Sequence, residues 1–137
     1  MHGINIYNVL KALPFELEIY NVGNIDSIGN VIFQAGNKRF ASTHCTFLFH
    51  GVTSSPSTEP MGELTLNERL NSVRADQARI TKVLEETTKM GHAEIEDLFL
   101  HSETKTAENA LEEGIVDKIR DPQIPDGIEF NAFNFPK

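Results

Sequence analysis

The sequence holds a single cysteine, Cys45, and no tryptophan among its 137 residues. One thiol cannot form an internal disulfide, so a reducing compartment is the simplest expectation. No apolar run is long enough to span a bilayer, and the first residues have neither the basic nor the apolar part of a secretory signal. These absences predict a cytoplasmic protein.

Basic residues are also scarce, because Lys and Arg total 12 against 20 Asp and Glu, for a formal net charge of −8. Such a balance repels phosphate backbones and anionic membrane surfaces, so we expect no nucleic acid and no membrane among the partners. The histidines show no compact ligand spacing such as H-E-x-x-H. We therefore expect no metal site and no cofactor.

The composition is that of a globular chain, with 39% hydrophobic and 23% charged residues. A chain of 137 residues makes one ordinary domain. We expect this domain to occupy residues 1–120. Residues 121–137 contain three prolines and three phenylalanines, and we predict that they form a C-terminal tail.

Helical and extended patterns alternate along the chain. The spacing of apolar residues predicts helices over Ile4–Leu13, Val31–Ala35, Leu64–Met90 and Ala93–Leu100. The pattern at Leu64–Met90 fits either one helix or two with a kink. A further helix is predicted between its cap at Thr106 and the closing Gly114. Period-2 or short continuous apolar runs predict strands over Phe15–Val22, Cys45–Phe49 and Ile115–Ile119, with a loop over Gly51–Pro60. This order predicts an α/β fold with a mostly parallel sheet and flanking helices.

Ser27 lies where a short turn-rich segment, Gly23–Gly29, leads into the predicted helix at Val31. A strand-to-helix turn exposes the hydroxyl of a serine and aims free backbone N–H groups at a developing oxyanion. The competing interpretation is an ordinary N-cap serine, which is the commoner role at a helix start.

His50 directly follows the buried apolar run that ends at Phe49. Ligands bind at the carboxyl ends of strands in open α/β sheets, so a histidine at this point is a candidate base. The competing interpretation is a half-buried histidine that bonds a loop carbonyl. Position alone does not favour either interpretation.

Several segments together resemble the proteolytic subunit of Clp protease, the serine peptidase branch of the Clp protease and crotonase superfamily. The similarity covers most of the chain and is carried by Gly3–Tyr7, Gly23–Gly29, Ala35–Ala41, Phe47–His50 and Thr106–Ile119. The resemblance implies a Clp protease/crotonase-like (ClpP/crotonase-like) fold that lacks the family's N-terminal part. That part supplies a Gly-Gly loop with one of the two oxyanion donors.

The resemblance implies a serine endopeptidase that hydrolyses unfolded polypeptides. Ser27 matches the nucleophile, His50 the general base, and the backbone N–H of Ile28 an oxyanion donor. This pairing of residue types suits acyl transfer, because a histidine can take the serine proton and return it to the leaving amine.

The third member of the triad is open at the level of sequence. The family's aspartate aligns without a gap to Ser102, and the neighbouring Glu103 is either an orienting carboxylate or a solvated surface charge. The family's small apolar residues near the nucleophile are replaced by Asp26 and Asn30, and Gly51-Val52 replaces the Gln-Pro after the base.

These departures keep an alternative open, namely a non-catalytic structural or regulatory subunit with a drifted active site. Acyl-CoA chemistry of the crotonase type ranks last because nothing in the sequence marks a CoA site. The resemblance further implies a homo-oligomeric ring assembled through the long helix at Leu64–Met90, and an AAA+ unfoldase as a possible partner. The same apolar stripe can instead pack within the monomer.

Overall fold

The computed structural model describes residues 2–55 and 57–123. Its helices are α1 (His2–Lys11), α2 (Ile28–Phe33), α3 (Glu63–Thr87), α4 (His92–His101) and α5 (Ala107–Glu112). Its strands are β1 (Glu18–Asn21), β2 (Asn24–Asp26), β3 (Lys38–Ala41), β4 (Thr46–Leu48), β5 (Thr104–Thr106) and β6 (Lys118–Ile119). None of these helices is long and apolar enough to cross a bilayer.

The strands of the described residues form two three-stranded sheets with the orders β1-β3-β6 and β2-β4-β5. All pairings in the first sheet are parallel, and β2 also runs parallel to β4. Only β5 is antiparallel to its neighbour β4. The α/β class with mostly parallel pairing is therefore confirmed, while the strands divide into two small sheets.

Four of the helices follow their sequence signals closely, whereas α2 begins three residues and ends two residues before the predicted Val31–Ala35. α3 is one continuous helix of 25 residues, and its C-terminal half buries Ile80, Thr81 and Leu84. The predicted cap of α5 forms a complete capping box between Thr106 and Asn109. Gly114 follows α5 with a φ of 72°, the left-handed conformation expected of a glycine at this position.

Strand boundaries differ from the sequence prediction. Within the turn-rich segment, residues 24–26 form the short strand β2 because they pair with β4. The predicted strand Ile115–Ile119 shrinks to β6, because the N–H groups of Ile115 and Val116 close the end of α5 on the carbonyl of Ala110. The predicted loop at 51–60 has no helix or strand in its described residues, and the tail from 124 to 137 lies outside them.

The core lies between the sheets and the helices α2 to α5. Its largest buried side chains are apolar and come from every layer: Phe33, Phe47, Phe49, Leu84, Ile95, Leu98 and Ile115. The rings of Phe33 and Phe47 meet edge to face with their centroids 5.3 Å apart. This contact packs α2 against β4.

Arg39 of β3 joins four segments of the chain. Its Nη2 donates to Asp117 Oδ1 at 2.9 Å, and its backbone N–H donates to Asp117 Oδ2 at 2.8 Å. Its Nη1 donates to the carbonyl of Thr87 at 2.7 Å and also to Gln34 Oε1. The Arg39 side chain is only 13% exposed. Because a mostly buried guanidinium needs partners, these bonds hold the ends of α2 and α3 and the start of β6 around β3.

Burial raises the pKa of the Asp117 carboxyl, but the hydrogen bonds and the charge of Arg39 outweigh burial and lower this pKa below its usual range. The folded state thus favours the ionised carboxylate. Its contribution to stability is present above the unfolded pKa of about 4 and is lost as the pH falls through the lower folded pKa.

We expect Asp117→Asn to lower the free energy of unfolding near pH 7 by about 1 kcal/mol, a modest value because the Asp117 side chain is 45% exposed. The difference between variant and parent should narrow as the pH falls below about 4. Urea unfolding between pH 3 and 7 measures both effects. Asp121→Asn removes an exposed charge just after β6 and serves as the control. An equal response of the two variants would contradict the assigned role of Asp117.

Candidate active site

A cavity of about 370 Å³ opens beside the turn between β2 and α2. Apolar side chains from α3 and α4, those of Ile80, Leu84 and Phe99, form part of its wall. Ser27 and His50 both line it, so the structure brings the predicted nucleophile and the predicted base to one cavity.

Ser27 connects β2 to α2 with a φ of 55° and a ψ of −123°. A non-glycine residue with positive φ is strained, and such strain is concentrated at functional sites. The Ser27 side chain makes no capping hydrogen bond to α2, so the interpretation as an ordinary N-cap is wrong. The backbone N–H of Ser27 donates to the carbonyl of Leu48 at 2.9 Å, which ties the turn to β4.

His50 lies two residues after β4 and is half-buried. Its Nδ1 lies 2.8 Å from the carbonyl oxygen of Gly51. Because a carbonyl can only accept, this contact assigns a proton to Nδ1, and in the neutral ring Nε2 is then the acceptor. A neutral histidine with an unprotonated Nε2 is the form that a general base requires.

The parallel pairing of β2 with β4 explains why the two residues share a cavity. Asp26 pairs with Leu48, so both strands end at the same edge of the sheet. Ser27 follows β2 directly, and His50 follows β4 after one residue. In the described part of the chain no hydrogen bond joins the Ser27 hydroxyl to His50. Catalytic hydrogen bonds are often long in the absence of substrate.

Glu103 lies away from the imidazole because of the strand register. Lys105 pairs with Phe47, and the backbone N–H of Phe49 donates to the carbonyl of Glu103 at 2.8 Å. Side chains alternate between the faces of a strand, so Glu103 shares the face of Lys105 and Phe49, opposite to that of His50.

The Glu103 carboxylate is held by an ion pair, with Oε2 3.1 Å from Lys105 Nζ. The same ammonium lies 2.7 Å from Oε1 of Glu113. Burial lowers the pKa of Lys105, but the hydrogen bonds and charges of Glu113 and Glu103 outweigh burial and raise it. Glu103 thus belongs to an ion-pair group centred on Lys105, and its carboxylate makes no hydrogen bond to His50 within the described residues.

Ser102 precedes β5 by two residues and lies beyond the end of the β4–β5 ladder at Thr104. It ends α4 in the left-handed conformation with a φ of 56°. Its side chain is exposed and does not line the cavity. Among the described residues, no carboxylate forms a hydrogen bond with His50.

Ile28 is the first residue of α2, and its backbone N–H has no acceptor within the helix by position. Its side chain packs on Gly3 of α1, where a Cβ atom would overlap Ile28 Cγ1. This close contact sets α1 against the turn that presents Ser27. The oxyanion donor predicted from sequence is thus a rigidly placed N–H beside the nucleophile.

Sequence reasoning missed the roles of two groups, the carbonyl of Gly51 and the amide of Asn30. The Gly51 carbonyl accepts a hydrogen bond from Nδ1, which a sequence cannot reveal because the acceptor is a backbone atom. Asn30 is almost completely buried and donates to two carbonyls of the site. A polar residue amid the apolar positions of α2 is the signal that marks it. Asp26, in contrast, is exposed.

Comparisons with known proteins identify the family to which the sequence is similar. A model of the Clp protease family matches residues 1–123. An ATP-dependent Clp protease proteolytic subunit 2 of Chlamydia trachomatis serovar D is 24% identical over 128 residues, covering 85% of this chain and 57% of that protein. A proteolytic subunit 2 of Mycolicibacterium paratuberculosis is 27% identical over 124 residues, covering 85% and 58%. The chain thus spans little more than half the length of these relatives.

Proposed function

The chain belongs to the Clp protease family, and we propose that it is a serine-type peptidase subunit in which Ser27 is the nucleophile and His50 the general base. The observation that carries this proposal is the backbone of Ser27. Ser27 has a strained positive φ, and its hydroxyl makes no capping hydrogen bond to α2. The residue lines the same cavity as His50.

In the proposed reaction the Ser27 oxygen attacks a peptide carbonyl while His50 Nε2 takes the hydroxyl proton. The backbone N–H of Ile28 donates a hydrogen bond to the oxyanion that forms on the substrate. The imidazolium then gives its proton to the leaving amine, and the C–N bond breaks. Water activated by the same histidine hydrolyses the acyl-serine and restores the free hydroxyl.

The Gly51 carbonyl serves as the orienting group of His50 in this proposal. It holds the ring and its tautomer, as a carboxylate would, through a bond of 2.8 Å. A neutral carbonyl stabilises the imidazolium less than a charged carboxylate does. We therefore expect a slow peptidase.

A second function is favoured by the same carbonyl contact and by the pairing of Glu103 with Lys105. Without a carboxylate for His50, the subunit can act as a structural or regulatory member of an assembly. This alternative keeps the fold and the assembly surface while contributing no bond cleavage.

The substrate class we propose is unfolded polypeptide, delivered by an AAA+ unfoldase to a homo-oligomeric ring. Family membership supports these proposals, and the N-terminal half of α3 offers a surface for assembly. Its Leu66 and Leu70 are 50% and 46% exposed beside an apolar groove that includes Met61 and Val73. A reducing compartment such as the cytoplasm suits the single buried thiol of Cys45.

A fluorophosphonate probe should label Ser27 of the full chain, because the probe reacts with a serine activated by a neighbouring base. Ser27→Ala should abolish the labelling, and His50→Ala should slow it by about 10²- to 10⁴-fold. Ser72→Ala, on the exposed face of α3, is the control and should label normally. Mass spectrometry of the modified peptide measures the site. Failure of the unaltered chain to label would exclude the peptidase and favour the structural subunit.

Ser102→Asp should raise the labelling rate, because the family's aspartate aligns with residue 102 and aspartate tolerates the left-handed conformation found there. A carboxylate near Nδ1 would stabilise the imidazolium, and we expect at least about a tenfold gain. Ser102→Asn has the same shape without the charge and is the matched control. Equal rates for the Asp and Asn variants would show that no charge at this position reaches the base.

Static light scattering at micromolar concentration should report an oligomer. Leu66→Glu combined with Leu70→Glu should reduce the mass, because a carboxylate buried in an apolar interface loses its hydration and has no charged partner. Leu100→Glu alters a leucine that is 76% exposed on α4 and should leave the mass unchanged. A monomeric mass for the unaltered chain would contradict assembly.

A further inference from the structure

Asn30 lies in α2 three residues after Ser27 and is only 1% exposed. Resting on the proposed function, we propose that Asn30 is a positioning residue whose side-chain amide locks the turn carrying Ser27 to the strand carrying His50. Its Nδ2 donates to the carbonyl of Ser27 at 3.2 Å and to the carbonyl of Leu48 at 2.6 Å. One amide group therefore links the nucleophile itself to a point two residues before the base.

The orientation of the amide follows from its partners. Both neighbours of Nδ2 are carbonyl oxygens, which only accept, so the nitrogen must face them. The other end of the amide, Oδ1, is buried and has no hydrogen-bond partner among the described residues. An unsatisfied buried acceptor destabilises the fold, and a group retained at such a cost calls for a functional explanation.

The two carbonyls do not depend on Asn30 for a partner. The Ser27 carbonyl also accepts from the backbone N–H of residue 30 at 3.1 Å, and the Leu48 carbonyl accepts from the backbone N–H of Ser27 at 2.9 Å. Removal of the side chain thus leaves no buried carbonyl without a donor and removes the orphaned Oδ1. The amide of Asn30 constrains the geometry of the site and adds little to the stability of the fold.

The constraint falls on the most strained backbone of the site. Ser27 holds a φ of 55°, a conformation that persists only when its surroundings enforce it. The two carbonyls that Nδ2 binds belong to the two segments that must stay in register for the hydroxyl and the imidazole to meet. A displacement of about 1 Å between reacting groups costs about 10²-fold in rate.

The chain contains a matched control at the other end of β4. Asn21 is also buried, and its Nδ2 donates to the carbonyl of Thr46 at 2.9 Å. Its Oδ1 accepts from the backbone N–H of Gly23 at 3.0 Å, so both ends of this amide are satisfied. Asn21 therefore joins the same strand to a neighbouring turn, away from the cavity and with a purely structural role.

The test compares Asn30→Ala and Asn21→Ala by urea unfolding and by the saturation kinetics of fluorophosphonate labelling at Ser27. For Asn30→Ala we expect unchanged or higher stability, at least about a tenfold fall in the maximal labelling rate, and an unchanged probe concentration for half-maximal rate. For Asn21→Ala we expect lower stability and an unchanged rate per folded molecule. Asn30→Ser is the second variant and should behave as Asn30→Ala does.

Each other outcome overturns the inference. An unchanged maximal rate in folded Asn30→Ala shows that the amide does not position the pair, while labelling of the unaltered chain keeps the proposed function intact. Loss of folding in both Asn30 variants assigns the amide to stability alone. Absence of labelling in the unaltered chain overturns the proposed function and the inference together.

Discussion

The arrangement of the other elements depends on the hydrogen bonds and the ion pair made by the guanidinium of Arg39. A charge that is 13% exposed needs partners, and the chain supplies them from the end of α2, the end of α3 and the residue before β6. These three segments are separate in sequence, and their bonds to one side chain hold them around β3, the central strand of the first sheet. The acidic character of the chain suits this role, because Asp117 adds a second set of charge-assisted bonds to the same cation.

The bonds of Arg39 act on the candidate site through α2, which is held at both ends. At its C-terminal end Gln34 accepts from Arg39 and donates to the carbonyl of Ile115 at 3.2 Å. At its N-terminal end the N–H of Ser27 binds the carbonyl of Leu48. A helix of six residues has little stability of its own, so these fixed ends rather than helix propensity define where Ser27 lies. The strained turn at Ser27 persists because hydrogen bonds hold both ends of the helix that follows it.

Local signals predicted the helices well, whereas the strands depended on contacts that no local signal contains. The spacing of apolar residues identified α1, α3 and α4, and the cap at Thr106 and the turn at Gly114 follow from residue chemistry. β2 and β5 have three residues each and exist because of β4, so only long-range pairing defines them. The candidate site divides in the same way. Ser27 and His50 have local signals, but the carbonyl of Gly51 and the bonds of Asn30 become visible only when distant segments meet.

The two-residue period of a strand decides how a catalytic site of this type can change. In the β4–β5 ladder Lys105 pairs with Phe47 and Thr104 with Leu48, and neighbouring positions of the strand lie on opposite faces. An acidic residue one position away is therefore no substitute for an acidic residue at the position itself, and Glu103 illustrates this by binding Lys105. A backbone carbonyl is free of this restriction, because it does not project from either face of the sheet. Once a carboxylate is absent opposite the base, the adjoining carbonyl is the acceptor that the local chain can supply, and Gly51 lies at that position.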